Sequence, residues 1–182
     1  MERAIHRPPR VTVSGMHASG AGPSWVIEPA RAPEHWQDVR RLFLAYADGL
    51  GFDLGFQRFA EELDSLPGDY AEPRGCVLLA WVERRVVGCV GLRRLEGSIC
   101  EMKRLFVEPD HRGTGLGREL VCGILEQASS RGYDRMRLDT VPAMRAARAL
   151  YASLGFEEIE PYRFNPIGGT SFMERRLRRR KR

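Results

Sequence analysis

Residues Arg112-Gly113-Thr114-Gly115-Leu116-Gly117-Arg118 are where residue type and spacing in this chain point to chemistry. Three glycines in five positions let a backbone approach a ligand with no Cβ atoms in the way. Before them, Leu105 to Val107 is an apolar run that Pro109 ends, since proline has no N–H to give to a strand ladder. After them, Leu120, Val121, Ile124, Leu125 and Ala128 recur at helical spacing. Strand, glycine turn and helix in that order set the turn at a helix N-terminus. Unpaired N–H groups and the positive end of the dipole favour an anion there. Arg112 and Arg118 add fixed charge in a shape that matches phosphate oxygens bidentately. The stretch reads as a pyrophosphate cradle. It is not a P-loop, because no Gly-x-x-x-x-Gly-Lys-Ser/Thr occurs. Nor is it a dinucleotide fingerprint, because Arg118 stands where the third glycine would be.

The spacing that fits is Arg-x-x-Gly-x-Gly, met by Arg112, Gly115 and Gly117. Taken with Leu105-Phe-Val-x-Pro before it and Ala147-Arg-Ala-Leu-Tyr151-Ala-Ser-Leu-Gly155-Phe156 after it, residues 24–177 resemble the GNAT superfamily of acetyl-CoA-dependent N-acetyltransferases. The resemblance implies acetyl-CoA as cosubstrate and no metal. It puts the diphosphate on Arg112, Gly113, Thr114, Gly115, Leu116, Gly117 and Arg118. The pantetheine arm would lie along free backbone groups of Leu105, Phe106 and Val107, with an N–H near Phe106 as oxyanion donor. Acetyl transfer needs a neutral amine, a polarised carbonyl, a proton for the leaving thiolate and both reactants in reach. Glu101, expected on the same strand face as Lys103, Leu105 and Val107, is the candidate base by likeness to the histone-modifying branch. Its other readings are a ligand for the substrate ammonium, or an ion pair with Arg93, Lys103 or Arg104. Tyr151 is the candidate proton donor to sulfur, its other reading a core tyrosine. Where the family often has Asn, seven residues earlier, this chain has Met144. Arg104, Phe52, Tyr162 and Asn165 are the expected lining of the acceptor pocket. Charges at Glu101, Lys103 and Arg104 suit a small amine that also carries a carboxylate.

The elements that must hold these groups follow from periodicity. Ser24 to Pro29 alternates like a strand, and Trp36, Val39, Phe43, Tyr46, Ala47 and Leu50 recur at 3.6 spacing as an amphipathic helix. A second helix is expected from Phe56 to Leu66, closed by Pro67-Gly68. Cys76–Val82 and Val86–Leu92 read as consecutive antiparallel strands, with Gly88 and Gly91 allowing a bend or the close approach of a ligand. Met136–Thr140 reads as a strand, and Ala143–Ser153 as a helix capped by Gly155. Phe156–Ile159 and Thr170–Leu177 are the last strands, with a loop between them. The expected architecture is one α/β domain: a mixed twisted sheet of six to seven strands flanked by about four helices.

Composition narrows the classes. The chain has 182 residues, 43% hydrophobic and 29% charged, enough for one full core. No apolar run reaches the ~20 residues of a membrane span. Four cysteines, Cys76, Cys89, Cys100 and Cys122, stand singly in apolar segments, as free thiols do in a reducing compartment, and a cytoplasmic location is expected. Neither cysteines nor histidines show metal-ligand spacing. The net charge of +5 has a local origin: residues 175–182 hold seven of the 29 basic groups, leaving 22 against 24 acidic. Residues 1–23 read as a disordered extension, 24–177 as the N-acetyltransferase domain and 178–182 as a basic tail. The expected partner is a small-molecule amine, with neither nucleic acid nor membrane in the core function. The sequence allows a homodimer as readily as a monomer. The alternatives are a non-catalytic acyl-CoA-binding module and a protein or peptide N-acetyltransferase.

Overall fold

Alternation decides which face each strand presents. In the strand Trp25–Pro29, here β2, Trp25, Ile27 and Pro29 are buried while Val26 and Glu28 are exposed. The computed structural model describes Val13–Gly15, as backbone, and residues 24–177. Val13–Gly15 is a short strand, β1, antiparallel to β2; the rest of the expected N-terminal extension and residues 178–182 lie outside the described residues. After β2 come helix α1 (His35–Asp48), helix α2 (Phe59–Asp64), strands β3 (Cys76–Val82), β4 (Arg85–Glu96) and β5 (Ile99–Val107), helix α3 (Leu116–Ser130), strand β6 (Arg135–Thr140), helix α4 (Arg145–Ser153) and strands β7 (Glu157–Ile159) and β8 (Ser171–Arg176).

The eight strands form one sheet in the order β1-β2-β3-β4-β5-β6-β8-β7. All pairs are antiparallel except β5 with β6. The sheet is thus a mixed one with four helices about it, as expected, and exceeds six to seven strands by the three-residue edge strand β1. One face carries α3, whose Leu116, Leu120, Val121, Ile124 and Ala128 pack against Leu78, Val87, Val90 and Met102. The other carries α1, with Val39, Leu42 and Phe43 against Val77, Leu79 and Cys89. Each Val, Leu, Ile, Phe or Met side chain among these contributes about 1.5–3 kcal/mol on burial, so both helices are fixed to the sheet by their apolar stripes.

Two local expectations need correction. The second helix is shorter than Phe56–Leu66: a single 3-10 turn, Gly55–Gln57, comes first, and Arg58 at φ 57° breaks the helical path before α2 begins. Gly91 is not an opening for a ligand. A Cβ there would lie 2.5 Å from the ring of Tyr70, so the glycine makes room for that buried ring. Arg175 and Arg176 lie in the last strand, paired with Met136 and Arg135, and the Leu177 N–H donates to the Asp134 carbonyl at 2.8 Å.

Candidate active site

One extra residue in β5 shapes the site. Gly91 pairs with Lys103 and Cys89 with Phe106, so Val90 alone faces both Arg104 and Leu105. This is a β-bulge, and Arg104 takes φ 57° to make it. Met102 joins the α3 face before the bulge, and Leu105 and Val107 join it after. Glu101, Lys103 and Arg104 point to the opposite face. The expectation that Glu101, Lys103, Leu105 and Val107 share a face is corrected here: a bulge shifts the two-residue period by one.

The same stretch leaves its neighbour. β6 pairs with β5 only from Ile99 to Glu101, although it runs on to Thr140. Beyond that point the two strands diverge. The Glu108 N–H donates to the Val87 carbonyl at 2.9 Å, which fixes the phase of the β4–β5 ladder. By alternation Phe106 turns its N–H and C=O to Cys89, and Leu105 and Val107 turn theirs to the open side. An N–H at Phe106 is therefore not the free donor; those of Leu105 and Val107 are.

The opening is lined by Lys103, Arg104 and Leu105 of β5, Leu138, Asp139 and Thr140 of β6, Met144 and Tyr151 about α4, Phe52 and Gln57 after α1, and Asn165. Of the expected lining, Arg104, Phe52 and Asn165 are here and Tyr162 is not. Its polar members bond to one another. Lys103 Nζ donates to Gln57 Oε1 at 2.9 Å and stands 3.5 Å from Asp139 Oδ1. Asn165 Nδ2 donates to Asp139 Oδ2 at 3.0 Å. Arg104 donates Nη2 and Nε to the two oxygens of Glu62, at 2.6 and 3.0 Å, and lies over the Phe59 ring. Burial would raise the Glu62 carboxyl, but the hydrogen bonds and charge of Arg104 outweigh it and hold the group below its ordinary value. Burial pushes the Lys103 ammonium down to about 8; Arg104 and Arg93 add to this, and Asp139 and Glu62 oppose it. The Tyr151 phenol is pushed well up by burial and stays protonated. Thr140 Oγ1 is buried in this wall with no hydrogen-bond partner among the described residues.

Glu101 is not part of that lining. It is fully buried, and its carboxylate accepts from Arg93 Nε at 2.9 Å and from the Tyr162 hydroxyl at 2.8 Å. Arg163 also stands against it. Asp139, Gln57 and Glu62 were not singled out in the sequence. Asp139 gives a weak signal there, as a polar position between two buried neighbours on β6; Gln57 and Glu62 give none.

The glycine turn has the geometry of a cradle. Gly113 and Gly115 take φ 75° and 96°, which glycine adopts at little cost, and a Cβ at either would meet open space. Their work is therefore conformation and clearance, not packing of strand on helix. The N–H groups of Gly113, Thr114, Gly115, Leu116 and Gly117 find no protein acceptor among the described residues. Arg112 is steadied by Nε donating to the Val107 carbonyl at 2.9 Å and by lying over the Phe106 ring. Arg118 reaches Ser153 of α4 at 3.1 Å. Five free amides and two guanidinium groups fit a diphosphate, and the outward N–H groups of Leu105 and Val107 with the orphaned Thr140 hydroxyl fit an amide-bearing arm; the Val107 carbonyl is taken by Arg112.

Comparison with known proteins agrees with this geometry. The family model described as "Acetyltransferase (GNAT) family" matches residues 30–156. An uncharacterized N-acetyltransferase of Schizosaccharomyces pombe is 38% identical over 149 residues, covering 81% of this chain and 91% of that one. The N-acetylaspartate synthetase of Xenopus tropicalis is 35% identical over 89 residues, 48% of this chain and 33% of that one. A GNAT-family acetyltransferase of Staphylococcus aureus has the same fold, with a TM-score of 0.71 at 21% identity over 85% of this chain and 99% of that one. With the matched region running from the end of β2 through the bulge and the cradle to Phe156, the chain belongs to the GNAT acetyltransferase family.

Proposed function

We propose that the protein moves an acetyl group from acetyl-CoA to the primary amine of a small, amino acid-like molecule, by direct attack with both reactants bound. The observation that carries this is the divergence of β5 from β6 beside a helix N-terminus whose amides have no acceptor. Acetyl-CoA, when bound, supplies an activated acetyl group on a thioester. The chain supplies the rest. Gly113 to Gly117 with Arg112 and Arg118 hold the diphosphate, and Leu105 and Val107 offer backbone N–H groups to the pantetheine arm and to the carbonyl oxygen. Tyr151, its O–H kept protonated by burial, faces the cleft and gives the leaving sulfur its proton. Glu101 anchors Arg93 and Tyr162 outside the cleft lining.

Two features favour an acceptor that bears a carboxylate. Arg93 and Arg163 both stand against the Glu101 carboxylate; Arg93 also reaches Asp69 at 3.5 Å, whereas Arg163 Nε has no hydrogen-bond partner among the described residues. The relative named N-acetylaspartate synthetase points the same way. Thiol release from acetyl-CoA, followed with amino acids and their decarboxylated counterparts, tests both parts. Release with amino acids at roughly tenfold higher kcat/KM than with the matching amines is expected. No release above hydrolysis with any amine, by protein that binds coenzyme A, would make the domain a non-catalytic acyl-CoA-binding module. Tyr151→Phe should lower kcat by roughly 10²-fold with little change in KM; full kcat would remove the phenol from the reaction.

A further inference from the structure

Of the 29 lysine and arginine residues in the chain, two are lysines, Lys103 and Lys181. The folded domain, residues 24–177, thus uses arginine wherever it places a strong cation, with one exception. That exception is buried, 5% exposed, in the wall of the cleft. An arginine keeps its proton in a protein, whereas a lysine can give its proton up and take it back. Where an amine must be made neutral, residues 24–177 have their one lysine.

The surroundings of Lys103 suit that task. Its Nζ has two protein acceptors, Gln57 Oε1 at 2.9 Å and Asp139 Oδ1 at 3.5 Å, while an ammonium has three N–H bonds. One position on Nζ is left for a third partner. Asp139 is itself fixed by Asn165, so the carboxylate that faces the lysine is held in place. The charged and titratable groups about Nζ are Asp139 from β6, Arg104 from β5, Arg93 from β4, Glu62 from α2, and the phenols of Tyr46 from α1 and Tyr151 from α4. Glu62 is spent on Arg104, and Glu101 is spent on Arg93, Arg163 and Tyr162.

We propose that Lys103 takes the proton from the ammonium of the acceptor, and that Gln57 and Asp139 receive the lysine ammonium so formed. The inference rests on the N-acetyltransferase reading above. One N–H bond of the acceptor breaks and one forms at Nζ. The electron pair left on the acceptor nitrogen becomes the nucleophile. Positive charge moves from acceptor to lysine, so no net charge is created in a desolvated cleft. Lys103 releases the proton to solvent before the next turnover. Matching also favours it: a carboxylate of ordinary strength lies ~6 pH units from a free alkyl ammonium, too far for efficient transfer. Burial has brought Lys103 to about 8, within reach of the working pH.

Two substitutions and one labelling experiment test this. Lys103→Met removes the proton acceptor at similar length; Lys103→Arg keeps a cation that cannot be neutralised. Both should lower kcat by at least roughly 10²-fold with the best amine of the panel, and leave the dissociation constant of coenzyme A within about twofold. If loss of the cation leaves Asp139 buried and unpaired so that Lys103→Met fails to fold, the Lys103→Met/Asp139→Asn pair removes both charges together and should show the same loss. Trace acetic anhydride on the wild-type full chain, read at the Lys103 peptide across pH, should give a midpoint near 8. A Lys103→Arg variant with kcat within about threefold of wild type would overturn the role, as would a labelling midpoint at the ordinary lysine value of ~10.4. Failure of the wild type to bind coenzyme A would instead sink the reading on which the proposal stands.

Discussion

Glu62 shows how the cleft is stiffened at the scale of single residues. Its carboxylate takes two hydrogen bonds from Arg104 and one, at 2.7 Å, from the Tyr70 hydroxyl. Arg104 is buried, so Glu62→Gln leaves a cation without its counter-charge, at a cost of about 3–5 kcal/mol. In a domain of this size that is a fall in Tm of about 10 °C, to be read by calorimetry at neutral pH. The sign with pH follows from the carboxyl being held below its ordinary value of 4.5 in the folded state. Its stabilisation is present above that ordinary value and is lost as pH falls through the lower, folded one. The gap between wild type and variant should therefore narrow in acid; a constant gap would mean that packing, not charge, is what was lost. The glycine turn at Gly113 and Gly115 ahead of α3 could be read from sequence because its shape depends on backbone and adjacency. Lys103, Asp139 and Gln57 could not be assembled, since they meet from positions 36 and 46 residues apart. Glu101 was expected in the cleft by likeness to the family, and nothing in the sequence pointed to the distant Tyr162 and Arg163 that, with Arg93, enclose its carboxylate.

At the scale of elements, the bulge and the glycine that pairs with the residue just before it set the site. Gly91 of β4 pairs with Lys103, and its missing side chain is the place where Tyr70 packs. Gly91→Ala would put a methyl 2.5 Å from that ring. Tyr70 must then shift and loosen its bond to Glu62, with a cost of about 1–3 kcal/mol for the overpacking. Chemical denaturation measures it, and an unchanged midpoint would show that the ring has room to move. The effect on catalysis should be secondary, through Glu62 and Arg104. Strands and long helices were legible because each repeats a pattern over many residues: α1, α3 and β3 lie where periodicity puts them. The start of α2 was not, because apolar spacing carries no mark of the left-handed turn at Arg58. β1 was missed for want of length, with three residues giving no period to read.

At the scale of the whole molecule, function follows from where the sheet opens. Antiparallel strands stack outward from β5 on one side, the parallel pair β5–β6 begins and then parts, and α3 aims its N-terminus beside the gap. Family membership and the general architecture came through in the sequence because the cradle motif, its strand and the later Leu150-Tyr151 helix lie in fixed order. The lining of the cleft did not, because it is assembled from α1 and the segment after it, β5, β6, α4 and the loop before β8. Among the described residues no helix is long and apolar enough to cross a membrane. The proposed binding of coenzyme A at the start of α3 is what every other proposed role depends on. A calorimetric titration of the full chain with coenzyme A, beside its Arg112→Glu and Gly115→Val variants, tests that dependence directly. The wild type should bind, with affinity that falls as salt rises, and each folded variant should bind at least roughly tenfold more weakly. Absence of binding by the wild type, or equal affinity in both variants, would contradict the account.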